Sequence, residues 1–392
     1  MMVLKVKAAE KKLGKHLAER KIIANFAALK HDLSFMNGRD ESLKGLKRRM
    51  PAEWEHQSMV QLTWPHKDTD WAPMLPEITA VYAEMAREIS KRENLLIVAP
   101  ADVQLPSPAT LHAPNTTIHT SHFTSNDTWA RDHGFITVAE TSNEGNEETL
   151  LLDFCFNGWG EKFEAEMDNR INRHLYEQGL VKGRYEDHLD FVLEGGSIES
   201  DGKGTIFTTS CCLTAPHRNQ PLTQAEIEER LKQYLGAERV VWLNHGSLMG
   251  DDTDGHIDTL VRICPDDTIL YTAGDAEHPD LAMMEEELQA LRTSEGKPYR
   301  LLRLPLPRPI YDDDAVPSGS PAEKGDRLPA TYANYLVVNG AVLVPTYAQP
   351  DLDAEAMRTI GQAFPDREIV GIDCRAVIRQ HGSLHCCTMQ YY

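Results

Sequence analysis

ANYLVVNGAVLVPTY, residues 333–347, reads as two apolar strands joined at Asn339-Gly340. An Asn-Gly pair meets the backbone demands of a two-residue hairpin turn. A helical pattern follows at 351–363, then the single strand REIVGI, so the unit is strand, turn, strand, helix, strand. The same order recurs upstream. SIES, the turn DGKG, TIFTTS, a helix at 223–235 and RVVWL form one copy. IDTLVRI, the turn CPDD, TILYTA, a helix at 279–293 and YRLLRL form another. Residues 134–139 and 149–154, a helical pattern over 161–179 and a strand at 189–193 form a third. An earlier copy is incomplete: SMVQLTW, a helix at 76–91 and NLLIVAP, with no hairpin partner.

Units recurring at about 60–80 residues are the mark of arrays and propellers. One such unit cannot bury both faces of its strands. The expectation is therefore an α/β fold with five-fold pseudo-symmetry, a propeller of strand-strand-helix-strand units around a central channel. The last stretch, 383–390, is the piece available to complete the first unit and close the ring. A doubly wound open sheet is the alternative. The repeated hairpins count against it, because that architecture alternates single strands with helices.

Length and composition bound the rest. The 392 residues hold no run of 18 apolar residues, and the Lys-rich N-terminus lacks the apolar core of a signal peptide. Seven cysteines, an odd number without a CxxC pair, do not read as a disulfide framework or a structural zinc site. A reducing, cytoplasmic setting is expected, with no membrane partner. Residues 1–50 carry thirteen basic against five acidic residues, a surplus of +8, whereas the remainder holds 27 against 55, or −28. An acidic body argues against nucleic acid and favours a small cationic substrate. Residues 1–48 read as a basic extension with one amphipathic helix around 13–29 and a basic linker at 44–50. Residues 49–392 read as a single catalytic domain.

Chemistry-bearing residues fall at the ends of the expected inner strands. Asp132 precedes the strand at 134–139, Glu194 follows the one at 189–193, and Cys386 lies on the closing strand. His256 and Asp258, two apart, share one face if the stretch is extended. By the same alternation Cys386 and Cys387 face opposite ways, so one thiol at most looks into the channel. Each residue has a plainer reading. Asp132 beside Arg131 is a local ion pair, Glu194-Gly195-Gly196 an ordinary turn, the acidic loop at 251–254 a solvated surface, and Cys386 with Cys387 two buried thiols. Five reactive residues at equivalent positions of a repeat favour one pocket instead.

The blocks RMPAEWE, TWPHKDTDW, FTSNDTWARDHGF, DFCFNGWG, LEGGSIESDGKGTIFTTSCCL, DDTDGHIDTL, NYLVVNGAVLVPTY and HGSLHCCTMQ resemble those of the agmatine deiminase family. That family includes the Porphyromonas-type peptidyl-arginine deiminases and belongs to the guanidine-modifying pentein superfamily. The resemblance spans about residues 49–392. It implies Cys386 as nucleophile, His256 as general acid and base, Asp132 and Asp258 as a grip on the guanidinium, and Glu194 in support. It implies hydrolysis of a guanidine to a ureido group with release of ammonia, without a cofactor. Agmatine, giving N-carbamoylputrescine, is the first substrate; free or peptidyl arginine, giving citrulline, is the alternative. Two departures stand out. Gly382-Ser383 occupies the place of a Gly-Gly-Gly run, and Phe135 stands where the family usually has Pro.

Trp129 is a further candidate, for stacking on the alkyl-guanidinium or as a plain core aromatic. The long loop 307–333 is a candidate reader of the substrate's far end. Two other classes make contrasting predictions. A metal-dependent hydrolase would use His256, Asp258, Asp254 and Glu194 as ligands, although no HxH or HExxH pair supports it. A non-catalytic module of the same fold would not need five reactive residues. A homo-oligomer is compatible with all of these readings.

Overall fold

The computed structural model describes residues 46–107, 110–111, 116–274, 277–312 and 325–392. The helix expected at 13–29 and the middle of the loop 307–333 lie outside them. Residues Arg48–Thr141 and Glu147–Tyr392 form one compact unit that carries five small mixed sheets.

Four of the sheets are built by the expected unit. In the third, Ile198–Ser200 pairs antiparallel with Thr205–Thr209, which pairs parallel with Arg239–Leu243. The fourth repeats this with Val261–Cys264, Thr268–Thr272 and Arg300–Leu304, and the fifth with Leu336–Val338, Ala341–Thr346 and Glu368–Asp373. In the second, Ile136–Thr141, Glu147–Cys155 and Arg184–Val192 stand in the same relation. In each, a helix lies between the second and third strands: Asp168–Glu177, Gln224–Leu235, Pro279–Ala290 and Pro350–Ala363. The first sheet takes its antiparallel strand from the C-terminus. Thr388–Tyr391 pairs with Met59–Thr63, which pairs parallel with Asn94–Ala99 around the helix Leu75–Ser90. The expected completion of the first unit is what the chain does.

Local chemistry accounts for the element ends. Asn339 and Gly340 join Val338 to Ala341 in a two-residue turn, with Gly340 at φ 79°. Thr223 and Glu226 form a capping box, and Gly236 ends that helix in the left-handed conformation. Helix Leu75–Ser90 buries Ile78, Tyr82, Met85, Ala86 and Ile89, a stripe at helical spacing, against the strand Asn94–Ala99 and its neighbours. The central strands Thr205–Thr209, Thr268–Thr272 and Ala341–Thr346 are buried on both faces almost throughout, so their apolar residues do not alternate with exposed ones.

Several expectations need correcting. The closing strand begins at Thr388, not 383, and residues 384–387 form a turn, so strand alternation is not what separates Cys386 from Cys387. Ile257–Thr259 is a 3-10 turn rather than the start of a strand, so His256 and Asp258 are brought together by a tight turn. The strand expected at 189–193 begins at Arg184, and the helix expected over 161–179 is confined to Asp168–Glu177. Ile118–His122, parallel to Asn94–Ala99, was not expected. Nor was the strand Lys47–Arg49, inside the stretch read as a linker; its Arg48 pairs with Glu140 at 3.0 Å and Glu186 at 2.8 Å. Among the described residues no helix is long and apolar enough to cross a membrane, and all seven cysteines are free.

Candidate active site

The turn 384–387 sets Cys386 ahead of the closing strand, with its thiol 3.8 Å from Asp258 Oδ2. Asn334, at the entry to the fifth sheet, fixes that turn. Its Oδ1 accepts from the backbone N–H of His385 at 3.0 Å and of Cys386 at 3.3 Å, and its Nδ2 donates to Cys386 Sγ at 3.2 Å. Cys387 points elsewhere, fully buried beside Tyr82.

The 3-10 turn after Gly255 delivers His256 and Asp258, both with no exposed surface. His256 Nδ1 stands 3.7 Å from Asp132 Oδ1. Asp132 accepts from Trp159 Nε1 at 3.0 Å and from the backbone N–H of Gly196 at 3.1 Å. Gly196 belongs to the turn that follows Glu194, and its missing side chain is what lets these groups converge. A Cβ there would lie 2.6 Å from His256 Nδ1, 3.0 Å from Asp132 Oδ1 and 3.1 Å from Asp258 Oδ2. Glu194 is held by Arg218, whose Nε donates to Oε1 at 2.9 Å. Cys386, His256, Asp132 and Asp258 are thus brought together, and a carboxylate oxygen of Glu194 lies within 4.8 Å of a ring nitrogen of His256.

Polar atoms are left without partners here. Among the described residues, both ring nitrogens of His256, Oδ1 of Asp258 and Oε2 of Glu194 are buried with no hydrogen bond. Buried polar atoms are normally satisfied, and an unsatisfied group carries a desolvation penalty of about 1–3 kcal/mol. A cluster of such atoms facing one space marks a ligand site.

The charges are unequal. Burial pushes the Asp132 carboxyl up to about 6, with Asp258 and Glu194 adding to the effect against His256. Asp258 goes the other way. Burial opposes its charge, but the hydrogen bond from His385 and the charges of His385, His256 and Arg262 hold its carboxyl below the ordinary range. Burial first, then Asp258 and Asp132, push the Cys386 thiol well above its usual value. Two neighbouring carboxylates that titrate apart, beside a thiol that needs a cation to ionise, suit a cationic ligand.

Trp129 donates to Asp127 at 3.1 Å and packs between Trp71 and Trp159, with ring centroids at 5.8 and 6.3 Å. A Cβ at Gly382 would stand 2.1 Å from its ring, so only a glycine at that position admits the indole. Asp254 is taken up by Arg218 at 2.7 Å and Lys162 at 2.9 Å, away from the four-ligand arrangement weighed for a metal. Sequence reasoning missed Asn334, Trp159, His385 and Glu53 as supporting groups. A polar Asn334 in an apolar strand entry was the available signal.

The family profile described as Porphyromonas-type peptidyl-arginine deiminase matches residues 49–391. The agmatine deiminase of Stutzerimonas stutzeri (strain A1501) is 33% identical over 357 residues, covering 87% of this chain and 94% of that one. The agmatine deiminase of Medicago truncatula is 31% identical, covering 87% and 95%. Among solved structures, a proposed arginine deiminase from Porphyromonas gingivalis superposes with a TM-score of 0.78 at 47% identity, over 88% of this chain and 98% of that one. A C. jejuni agmatine deiminase with substrate bound superposes at 0.77 with 34% identity, over 89% and 97%. The thiol turn, the paired His256 and Asp258, and the match over nearly all of residues 49–391 lead to one statement: the chain belongs to the Porphyromonas-type peptidyl-arginine deiminase family.

Proposed function

We propose that residues 49–392 form one catalytic domain, its five units arranged as a propeller around a channel, that hydrolyses agmatine to N-carbamoylputrescine and ammonia. The observation that carries this reading is the convergence of one thiol, one histidine whose ring nitrogens have no hydrogen-bond partner among the described residues, and three buried carboxylates, in a member of this family.

Asp132 and Asp258 take the guanidinium N–H groups and hold its plane against Cys386. The cation offsets the carboxylates that keep the thiol protonated, so substrate arrival favours the thiolate. The thiol proton passes to His256, and sulfur adds to the guanidinium carbon to give a tetrahedral adduct. His256 returns a proton to one nitrogen, the C–N bond breaks, and ammonia departs, leaving an amidino-thioether on Cys386. Water then adds to the same carbon as His256 accepts its proton. Collapse expels the sulfur and leaves the ureido product. The sum is one guanidinium and one water converted to one urea and one ammonium. Glu194, fixed by Arg218 and within 4.8 Å of His256, supports that ring. Trp129 shapes the aromatic wall behind Asp132.

A second reading, an arginine or peptidyl-arginine deiminase, draws on the 47% identity to the proposed arginine deiminase. The seven free cysteines and lack of a membrane-length apolar helix among the described residues support a cytoplasmic setting. Ammonia release from agmatine, arginine and an arginine-containing peptide separates the substrates. Turnover of agmatine at least tenfold above the others is expected. Turnover of arginine with none of agmatine overturns the first reading in favour of the second.

A further inference from the structure

We infer that Glu194, Cys212 and His256 form a site for a thiophilic divalent cation such as zinc, and that occupancy of this site shuts the enzyme off. One ligand atom from each residue lies within 4.8 Å of those of the other two, and all three residues are fully buried. A triangle of that size has a point within about 2.8 Å of every corner, so small side-chain movements reach the bond lengths of about 2.0–2.3 Å that zinc takes with nitrogen, oxygen and sulfur. The donor set of thiolate, imidazole and carboxylate is one that zinc prefers, and three protein ligands leave a fourth position open.

The donor atoms are available. Glu194 gives only Oε1 to Arg218, while its Oε2 has no hydrogen-bond partner among the described residues, and neither has either ring nitrogen of His256, although Nδ1 stands 3.7 Å from Asp132 Oδ1. Cys212 sits on the short helical turn Ser210–Leu213 after the strand Thr205–Thr209. The neighbouring Cys211 is exposed and turns toward Gly255, where a Cβ would meet its sulfur at 2.7 Å. Cys212 has no part in the chemistry proposed above. Arg218, one contact behind Glu194, opposes a cation. Two anionic ligands, Glu194 and the Cys212 thiolate, outweigh it.

Binding replaces the S–H bond of Cys212 with a metal–sulfur bond and releases one proton to solvent. Affinity therefore rises with pH. A metal on His256 removes the group that carries protons, so the inhibitory consequence rests on the function proposed above. Binding itself does not.

The experiment is competition between the full-length protein and a chromophoric chelator for zinc, without substrate. Wild type, Cys386→Ser and Cys211→Ser are expected to bind one equivalent alike, and Cys212→Ala to lose at least tenfold in affinity. With cobalt(II), a thiolate charge-transfer band in wild type should be absent in Cys212→Ala. In chelator-treated buffer Cys212→Ala should turn over substrate as wild type does, and resist added zinc. Cys212→Ser is the second variant should alanine prevent folding. Full zinc affinity in the Cys212 variant, loss of affinity in Cys386→Ser instead, or no zinc bound by wild type overturns the site. Zinc binding as expected, with no guanidine turned over, overturns the functional reading and leaves the site standing.

Discussion

His385 Nδ1 lies 2.7 Å from Asp258 Oδ2, and the other nitrogen of the same ring lies 2.8 Å from Glu53 Oε2. The residue beside the Cys386 thiol thus holds in place a carboxylate proposed to receive substrate. Arg262 continues the chain, bound to Glu53 and, at 2.7 Å, to Glu199. Asp258 Oδ2, the oxygen that His385 holds, is also the one 3.8 Å from the Cys386 thiol, while Oδ1 is buried with no hydrogen bond among the described residues.

His385→Asn should expose that dependence. Asp258 is held ionised chiefly by His385 against the cost of burial, so the stability this confers is full above the ordinary carboxylate range and lost as pH falls through the lowered pKa. Without the ring, the carboxyl takes up its proton at higher pH. Removing one partner of a buried pair costs about 3–5 kcal/mol. The acid limb of kcat/KM should shift to higher pH, and the thermal midpoint should fall most at neutral pH. An unmoved acid limb would refute the positioning role.

Gly196→Ala should remove activity with little loss of folded protein. The added methyl would stand 2.6 Å from His256 Nδ1, and the ring must move to admit it. Overpacking of this kind costs about 1–3 kcal/mol, which a domain of this size tolerates. A displaced His256 loses its reach to Asp132. Activity and thermal midpoint measured together decide it: wild-type turnover would mean the geometry around Gly196 has been misread.

Asp132 should set a second titration. Its carboxyl is raised to about 6 by burial, so in the free protein the cation-binding form is lost as pH falls through that value. The sign for stability is opposite to that of Asp258. The folded state keeps the proton more tightly than the unfolded chain, so stability declines between the ordinary carboxylate range and about pH 6. Trp159→Phe deletes the indole donor 3.0 Å from Oδ2 and should raise this pKa further. The kcat/KM profile against pH is the measurement. An acid limb that stays put in Trp159→Phe would argue that another group controls it.

The repeat was legible because its signals are local. Asn339-Gly340 marks a hairpin, and the capping pair Thr223 and Glu226 marks a helix start. The convergence of Cys386, His256, Asp132 and Asp258 was expected from the resemblance, although His256, Asp258 and Cys386 sit on turns rather than on strands. What stayed hidden is long-range. Glu53 and His385 are 332 positions apart, and nothing local in either residue announces the other. Asn334 was hidden for the same reason, 52 positions from the thiol that it holds. The strand assignments around His256 and Cys386 failed because turns of three or four residues, Ile257-Asp258-Thr259 and Leu384-His385-Cys386-Cys387, are too short to show a period that distinguishes them from extended chain.

The two adjacent thiols supply the sharpest test of the proposed site. Cys386 faces Asn334 and Asp258, whereas Cys387 is buried against Tyr82 on the other side of the turn. Their separation comes from the turn 384–387, held by Asn334 Oδ1 on two successive backbone N–H groups. Cys386→Ser replaces the sulfur nucleophile with a hydroxyl that the site has no means to ionise, so turnover should be lost with the thermal midpoint nearly unchanged. Cys387→Ser places a hydroxyl in an apolar core position, at an order-of-magnitude cost of about 1–3 kcal/mol, and should lower the midpoint while leaving most of the activity. Asn334→Ala joins the set, because it frees the turn and removes the donor 3.2 Å from Sγ, and should slow alkylation of Cys386 by a haloacetamidine. The three variants are assayed side by side for ammonia release, midpoint and alkylation. Activity retained in Cys386→Ser, or lost only in Cys387→Ser, would mean that the wrong sulfur has been assigned to the site.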